Sequence, residues 1–547
     1  MGLTDALFTG TSGLRALSHG MSVIGDNIAN LNTTAFKGSR ITFSDIMAQS
    51  INTAAGSAQM GRGANIQALY PQFTQGAFES TANPTDMAIA GAGFFIVRNP
   101  KATGAVFYTR DGQFMIDKEG YLVNPQGFRV QGWQIDETTG DIIGTLTDIL
   151  IARTSPPVKT SLINVITNLD ARQERTITID TIGGTATTDD DVTFADTSIT
   201  DSNNLTLWSK WDATQETPLA STDYDYRTSL LIYDSLGTSH EITIYYKAIN
   251  YVIDTSGNVK PIYEFLVTCD PQEDMRQNFT DTQKKGVLMY GLLEFDTQGN
   301  VKNMFNVYRY GWDAVNDQYQ LTRIIDDTGT PVDDATLGTY DAFANATYFT
   351  QTLGALGAHG YPILISDFLG IDIVDDTGSE IPDATLTLQP IELDLGYYYK
   401  NGWKSEAVRT TQYSAPFSTL FYDQNGFAPG FLESINVDNE GRITGVYSNG
   451  RVIPLWMVGL ARFNAPERLQ KVGGNLYKET THSGPPVTGK PGTNGLGTIT
   501  PNSLEQSNVD LGEQFVKMII FQRGFQADAR IITVTDTMMD ELIRLIR

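Results

Sequence analysis

Both ends of the chain carry an apolar stripe at helical spacing, and this pair of stripes limits the folds open to it. Leu3, Leu7, Leu14, Leu17, Met21, Ile24, Ile28 and Leu31 recur at three- and four-residue steps, with Gly10 as the one gap. Leu504, Leu511, Phe515, Met518, Phe525, Ala529, Ile532, Met539, Ile543 and Ile546 repeat the pattern at the other end. Such a stripe has to face another helix. The nearest partner for one end is the other, so the chain is expected to leave its helical termini, build a body and return. This is the pattern of an assembly subunit rather than an enzyme.

Neither segment is a good lone helix. Gly10, Gly13, Gly20 and Gly25 each cost about 1 kcal/mol relative to alanine. The run Ile531-Ile532-Thr533-Val534-Thr535 favours strand. Both ends are therefore expected to order only when they find partners. Ser503 and Gln506 fit a capping box, which predicts a helix from 503 onward. A second apolar set on that segment lies outside the first stripe: Val516, Ile519, Ile520, Ile531, Val534, Met538, Leu542 and Leu545. Its expected use is contact with neighbouring subunits. Gln522 and Asp536 interrupt the main stripe, where they either fix register, as buried polar residues can, or line a wet surface.

Between the ends the pattern is β-strand and turn. Residues 36–70, rich in Ser, Ala, Gly and Gln, predict an irregular linker arm. From residue 71 a hairpin element recurs, apolar-Asp-x-x-Gly-x-apolar, starting at Ile116, Ile253, Phe295 and Val437, with looser copies at Ile325 and Val374. The aspartate can accept backbone amides ahead of it, and the glycine supplies the left-handed residue of the turn. At 547 residues the length allows about three to four domains.

The expected fold is mainly β with terminal α-helices, a discontinuous multi-domain subunit. Residues 1–35 and 503–547 form a terminal helical coiled-coil domain, and 36–70 and 490–502 are linker arms. Residues 71–150 and 409–489 form a core β domain. Residues 151–408 form an outer β insert of two lobes, with 305–390 as a candidate further lobe. The β parts are expected to be sandwiches or barrels.

Charge divides the chain along similar lines. Residues 151–395 hold 37 Asp+Glu and 14 Lys+Arg, a net −23 of the whole-chain −25. The insert is thus a solvated, self-repelling surface, while the near-neutral remainder can approach its like. No basic patch exists to neutralise phosphates, which argues against nucleic acid as a partner.

Residues able to carry chemistry are scattered. His19, His240, His359 and His482 have no nearby ligand partner in sequence, and Gly91-Ala92-Gly93 lacks the context of a phosphate loop. Asp189-Asp190-Asp191 and the Asp pairs starting at Asp326, Asp333 and Asp375 do not match a calcium loop and read as solvated turn acids. Cys269 is the single cysteine, which excludes an intrachain disulfide and fits a small buried residue. No catalytic, cofactor or metal site is expected. Trp208, Trp211 and Trp312 are expected in the core; exposed, they would instead suit a glycan-binding adhesin. No apolar run approaches the roughly 18 residues of a membrane span, and the start has no cleavable signal pattern.

The string from Asp26 to Lys37 follows the first helix, and its Asn27, Asn30 and Asn32 suit a helix exit. Within it Asn27, Ala29, Asn30, Thr33, Phe36 and Lys37 resemble the signature of the bacterial flagellar rod and hook proteins. Ala35 stands where many members have glycine, which counts against a left-handed turn there. Tyr108 to Phe114, Gly127 to Trp133, Tyr233 to His240, Val458 to Pro466, Glu505 to Leu511 and Phe521 to Ala527 are similar to further stretches of the family, in order. The resemblance implies export without a cleaved signal through the flagellar type III apparatus. It implies assembly with copies of itself into a curved helical tube outside the cell. The tube would act as a universal joint passing torque from rod to filament. Its implied neighbours are the hook cap, the distal rod protein and the hook–filament junction protein, with no membrane insertion. The implied self-assembly residues are Leu14, Leu17, Met21, Ile24, Ile28 and Leu31 with Leu511, Phe515, Met518, Phe525, Ile532, Met539, Ile543 and Ile546. A distal rod protein of the same family is the alternative, and the large insert weighs against it.

Overall fold

A computed structural model describes the chain apart from residues 1–2, 48, 54–55, 102–103, 138, 176–177, 180–206, 253–258, 277–278, 280–281, 314–317, 327, 333–353, 370–372, 375–379, 382–388 and 547. Asp189 to Asp191, Asp333, Asp375 and the turns after Ile253 and Val374 lie outside the described residues. The described fold is mainly β, with three helices: α1 (Leu3–Ala29), the short α2 (Leu207–Lys210) and α3 (Leu511–Ile546). The chain divides into two compact units, Met1–Ser155 with Phe431–Arg547, and Pro156–Gly430.

In the first unit α1 and α3 pack against each other, and strands from both halves of the chain share one 14-stranded sheet. Strand Phe94–Arg98 lies between Val106–Thr109 and Arg129–Ile135, and Arg129–Ile135 also pairs with Val452–Val458 from the returning chain. The apolar run Phe94-Phe95-Ile96-Val97 is buried on both faces, as a central strand requires. Its two sides feed two clusters, one around Phe95 and Val97 and one around Phe94 and Ile96.

Two expectations fail here for identifiable reasons. Residues 36–70 are not an irregular arm. Ser39–Asp45 pairs antiparallel with Ala64–Pro71, and Gln49–Thr53 pairs with Gly56–Met60. The ribbon is held by the helices: Phe43 meets Phe521 edge-on at 5.9 Å, and Ser12 Oγ accepts the Ala64 amide at 3.2 Å. Nor does the last helix begin at 503. Ser503–Glu505 is a strand paired with Phe78–Ser80. The cap is Asp510, whose Oδ1 accepts the Glu513 amide at 3.1 Å.

The second unit builds a seven-stranded sheet around Ser239–Val252, Val259–Cys269, Val287–Phe295 and Val301–Asp313. A four-stranded sheet of Ile363–Ser366, Gln389–Asp394, Leu162–Asn168 and Ser418–Gln424 lies in the same unit. Ile163 and Val165 from the smaller sheet pack with Ile244, Phe265 and Val267 from the larger. Because Ser418–Gln424 pairs with Leu162–Asn168, the boundary placed at 409 moves to 431.

The other face of the large sheet carries α2 and an aromatic cluster. Trp208 and Trp211 are buried in it with Tyr290, Phe305 and Tyr310, and Trp211 Nε1 donates to Lys285 O at 2.9 Å. These two tryptophans are core residues, which removes them as a glycan platform. The side chain of Trp312 lies outside the described residues.

The Asp-x-x-Gly turns form as their chemistry predicts. Asp117 Oδ1 accepts the amides of Glu119 and Tyr121, Asp296 those of Gln298 and Asn300, and Asp438 those of Glu440 and Arg442. The glycines Gly120, Gly299 and Gly441 sit at φ +94°, +81° and +79°. Asp326 spends its carboxylate in the same way, on the amides of Thr328 and Thr330.

Candidate assembly interface

The helix pair is antiparallel and in close register. Gly10 faces Ile532, Gly13 faces Asp528, Leu17 faces Gly524, Gly20 faces Phe521, and Asn27 Nδ2 donates to Gln514 Oε1 at 3.2 Å. A Cβ on Gly13 would stand 2.2 Å from Asp528 Oδ2, and one on Gly20 2.5 Å from Phe521 Cε2. These glycines weaken α1 alone but let α3 side chains pass against its backbone. Gly25 faces open space.

The seam takes in some of the residues the apolar pattern picks out, Leu17 and Ile532 among them, and adds polar ones. On α1, Ile24 is buried and Leu14, Leu17, Met21 and Ile28 are half-buried, as is Leu31 just past its end. On α3, Met518, Phe525, Ile532 and Met539 are half-buried, but Leu511, Phe515 and Ile543 are exposed. The side chain of Ile546 lies outside the described residues. The positions that meet α1 include Gln514, Phe521, Gly524, Asp528 and Ile532, and Gln514 and Thr535 are buried. Gln514, Asp528 and Thr535 are polar, so apolar periodicity passes over them. Thr535 satisfies its hydroxyl on Ile531 O at 2.7 Å, and burial pushes the Asp528 carboxyl upward. Gln522 and Asp536 are exposed, which favours the wet-surface reading over a register-fixing one.

The opposite face of α3 remains apolar and open. Val516, Ile519, Ile520, Ile531, Val534, Met538, Leu542 and Leu545 are between 45% and 78% exposed. Much of this row repeats at seven-residue steps, Ile520 and Val534 with the exposed Ala527 between them, and Ile531, Met538 and Leu545 beside them. An exposed apolar strip of this length marks an interaction surface.

The helices are tied to the β body by the segment after α1. Asn27 is buried and bonds both ways with Ser39, its Nδ2 to Ser39 O at 2.9 Å and its Oδ1 to the Ser39 amide at 2.8 Å. Ala29 is exposed at the end of α1. Asn30 Nδ2 donates back to Asp26 O, and Thr33 Oγ1 donates to Asn30 Oδ1. Ala35 adopts φ +57° while fully buried, so the left-handed turn is made without glycine. Its amide donates to Glu505 O at 2.7 Å, which holds it there. Phe36 is buried beneath the Lys471 ammonium, 5.0 Å from the ring centre.

Lys37 is fully buried and ion-paired to Glu505 at 2.6 Å, and Arg110 approaches the same carboxylate at 3.4 Å. Burial pushes the Lys37 ammonium below the usual lysine range, against the pull of Glu505. Asn508 completes the junction: its Oδ1 accepts the Gly38 amide and its Nδ2 donates to Gln72 O and Thr74 Oγ1. Arg110, Glu505 and Asn508 all fall in stretches resembling the flagellar family. Their meeting with Lys37 has no local signal, because 395 and 468 residues separate the partners of the two ion pairs.

Paired terminal helices on a folded β body, with one helix presenting an uncovered apolar face, define a self-assembling structural subunit. Four family models match in chain order: Flagella basal body rod protein (7–37), Flagellar hook protein FlgE/F/G D1 domain (88–187), Flagellar basal body protein FlaE D2 domain (201–427) and Flagellar basal body rod FlgEFG protein C-terminal (500–545). The chain belongs to the flagellar hook protein family. It is 29% identical to the flagellar hook protein FlgE of Treponema pallidum over 559 residues, covering 99% of each chain. The FlgE of Borreliella burgdorferi is also 29% identical with 99% of each chain covered, and that of Caulobacter vibrioides 25% with 100% of each.

Proposed function

We propose that this chain is a structural subunit of the bacterial flagellar hook, and that it polymerises through its terminal helices. The observation that carries the mechanism is the uncovered apolar face of α3 on a helix already paired by its other side. One face builds the subunit and the other joins subunits, so the helix pair forms the inner wall of a tube. The family membership supports the hook, and the match of residues 201–427 to the FlaE D2 domain favours it over the distal rod.

The excess of acid belongs to one unit. Pro156–Gly430 holds 39 Asp+Glu and 16 Lys+Arg, a net −23, while the other unit carries −2. Like-charged copies of this unit repel, which suits contacts that are wet and easily re-formed as the tube bends. The subunit works mechanically and not as an enzyme. It is exported through the flagellar type III apparatus and meets the hook cap, distal rod protein and hook–filament junction protein outside the cell. No helix among the described residues is long and apolar enough to cross a membrane.

Electron microscopy of cell-surface material from a strain lacking this chain tests the assignment. Hooks are expected to be absent and to return on complementation; intact hooks would overturn it.

A further inference from the structure

The chain enters the acidic unit at Pro156 and leaves it at Gly430, so two covalent crossings join that unit to the rest of the subunit. Just inside them the two segments run together. Val158 and Phe427 exchange both backbone bonds, at 2.9 and 2.8 Å. Asn425 Oδ1 accepts the amides of Ser161 and Leu162, and Thr160 Oγ1 donates to Gln424 Oε1 at 2.9 Å.

A third segment is seated against both. Tyr233 to His240, one of the stretches resembling the flagellar family, is a further Asp-x-x-Gly turn. Asp234 Oδ1 accepts the Leu236 and Thr238 amides, and Gly237 sits at φ +86°. A Cβ on Gly237 would stand 2.4 Å from Pro429 Cδ and 2.8 Å from Pro157 Cβ, one proline on each crossing segment. Tyr233 O accepts the Thr160 amide, and the Tyr233 amide donates to Thr160 Oγ1, both at 2.9 Å. Gln389 Nε2 donates to Thr160 O and to Tyr233 O. The turn is also anchored from behind. Asp234 Oδ2 lies 3.3 Å from Nε2 of the buried His240, whose ring stacks on Phe368 at 4.0 Å and whose Nδ1 lies 2.9 Å from Glu273 Oε2.

A left-handed turn needs glycine for its backbone. Here the missing side chain also leaves the space that the two prolines fill. We propose that the Asp234–Gly237 turn is a clamp on the two crossings, with Gly237 as its positioning residue. It holds the incoming and outgoing segments at one spacing, so that they carry load as a single ribbon. Two segments tied together turn together, whereas a lone segment turns about the φ and ψ of each residue. The load-bearing part rests on the reading of this chain as a hook subunit; the clamp itself does not.

The test is amide hydrogen exchange on the soluble full-length chain. In the unaltered chain the amides of Val158, Thr160 and Phe427 are expected to be protected. Gly237→Ala should speed their exchange on the order of a hundredfold, while strand Val287–Phe295 of the same unit keeps its protection. Gly402→Ala is the control. Gly402 sits at φ +114° with nothing near its Cβ position, so the variant carries backbone strain without the contact and should leave all three amides protected. The clamp is overturned if the three amides are unprotected in the unaltered chain or unchanged in G237A. It is equally overturned if G402A speeds them as much, or if strand Val287–Phe295 loosens with them. Hooks built from G237A subunits should assemble and show a wider spread of curvature in electron micrographs. An unchanged spread, or loss of the hooks, overturns the load-bearing role. The exchange is read on the soluble chain, so its outcome is separate from whether a strain lacking this chain keeps its hooks.

Discussion

Helix α3 and the large sheet of the acidic unit treat apolar side chains in opposite ways. The sheet covers both of its faces within the chain, one with the smaller sheet and one with α2 and the aromatic cluster. Helix α3 covers one face with α1 and leaves the other to solvent. Charge runs the other way, since the unit with the finished core carries the net −23 and the unit with the unfinished helix is almost neutral. A region that completes its core internally can afford repulsion between copies. A region that must be completed by a neighbour cannot.

The largest expected effect comes from the open face. Ile520→Asp with Val534→Asp should abolish sedimentable tubes while moving folding stability by no more than about 0.5 kcal/mol, since both side chains are solvent-exposed. Tubes of normal yield would break the contrast between the two faces.

A smaller effect is expected in the acidic unit and should leave assembly alone. Glu264 is fully buried, its Oε2 accepts the Leu207 amide and the Tyr290 hydroxyl, and burial raises its carboxyl to about 7. The folded form therefore holds its proton where the unfolded chain, near 4.5, has released it. That preference is fully present below about 4.5 and is lost as pH rises to about 7, so the unit loses stability across this window. Glu264→Gln should flatten the slope and raise the melting temperature of the unit above pH 7. An unchanged slope in thermal melts across that range would show that Glu264 is not its source.

The smallest effect concerns the junction. Ala35 holds a left-handed backbone that costs an alanine on the order of 1 kcal/mol. Ala35→Gly relieves it at some entropic cost, for a net gain of a few tenths of a kcal/mol to about 1 kcal/mol by denaturant titration. A loss of stability would mean that the methyl group, fully buried, contributes more than the strain takes away.

Legibility in the sequence followed the range of the interaction. The Asp-x-x-Gly turns were readable because the carboxylate and the amides it binds lie within four residues. The strands within 36–70 carry only short alternating runs, Arg40-Ile41-Thr42-Phe43-Ser44 and Ala64-Asn65-Ile66-Gln67-Ala68, which the Ser-, Ala-, Gly- and Gln-rich composition between them obscures, and α1 and α3 supply surface they pack on. Ser503 and Gln506 match a local capping pattern, yet pairing with Phe78–Ser80 overrides it. On the interface, Ile24 and Ile532 were found by periodicity, whereas Gln514, Asp528 and Thr535 carry no apolar signal.

The sequence by itself determined that the ends are helical, that the middle is β, and that the net negative charge is concentrated in the insert. Each of these is a property of neighbouring residues or of composition. Tertiary structure alone decided which face of α3 turns inward. That choice depends on Gly13 leaving room for Asp528 and Gly20 for Phe521, a fit that exists only when both helices are present together.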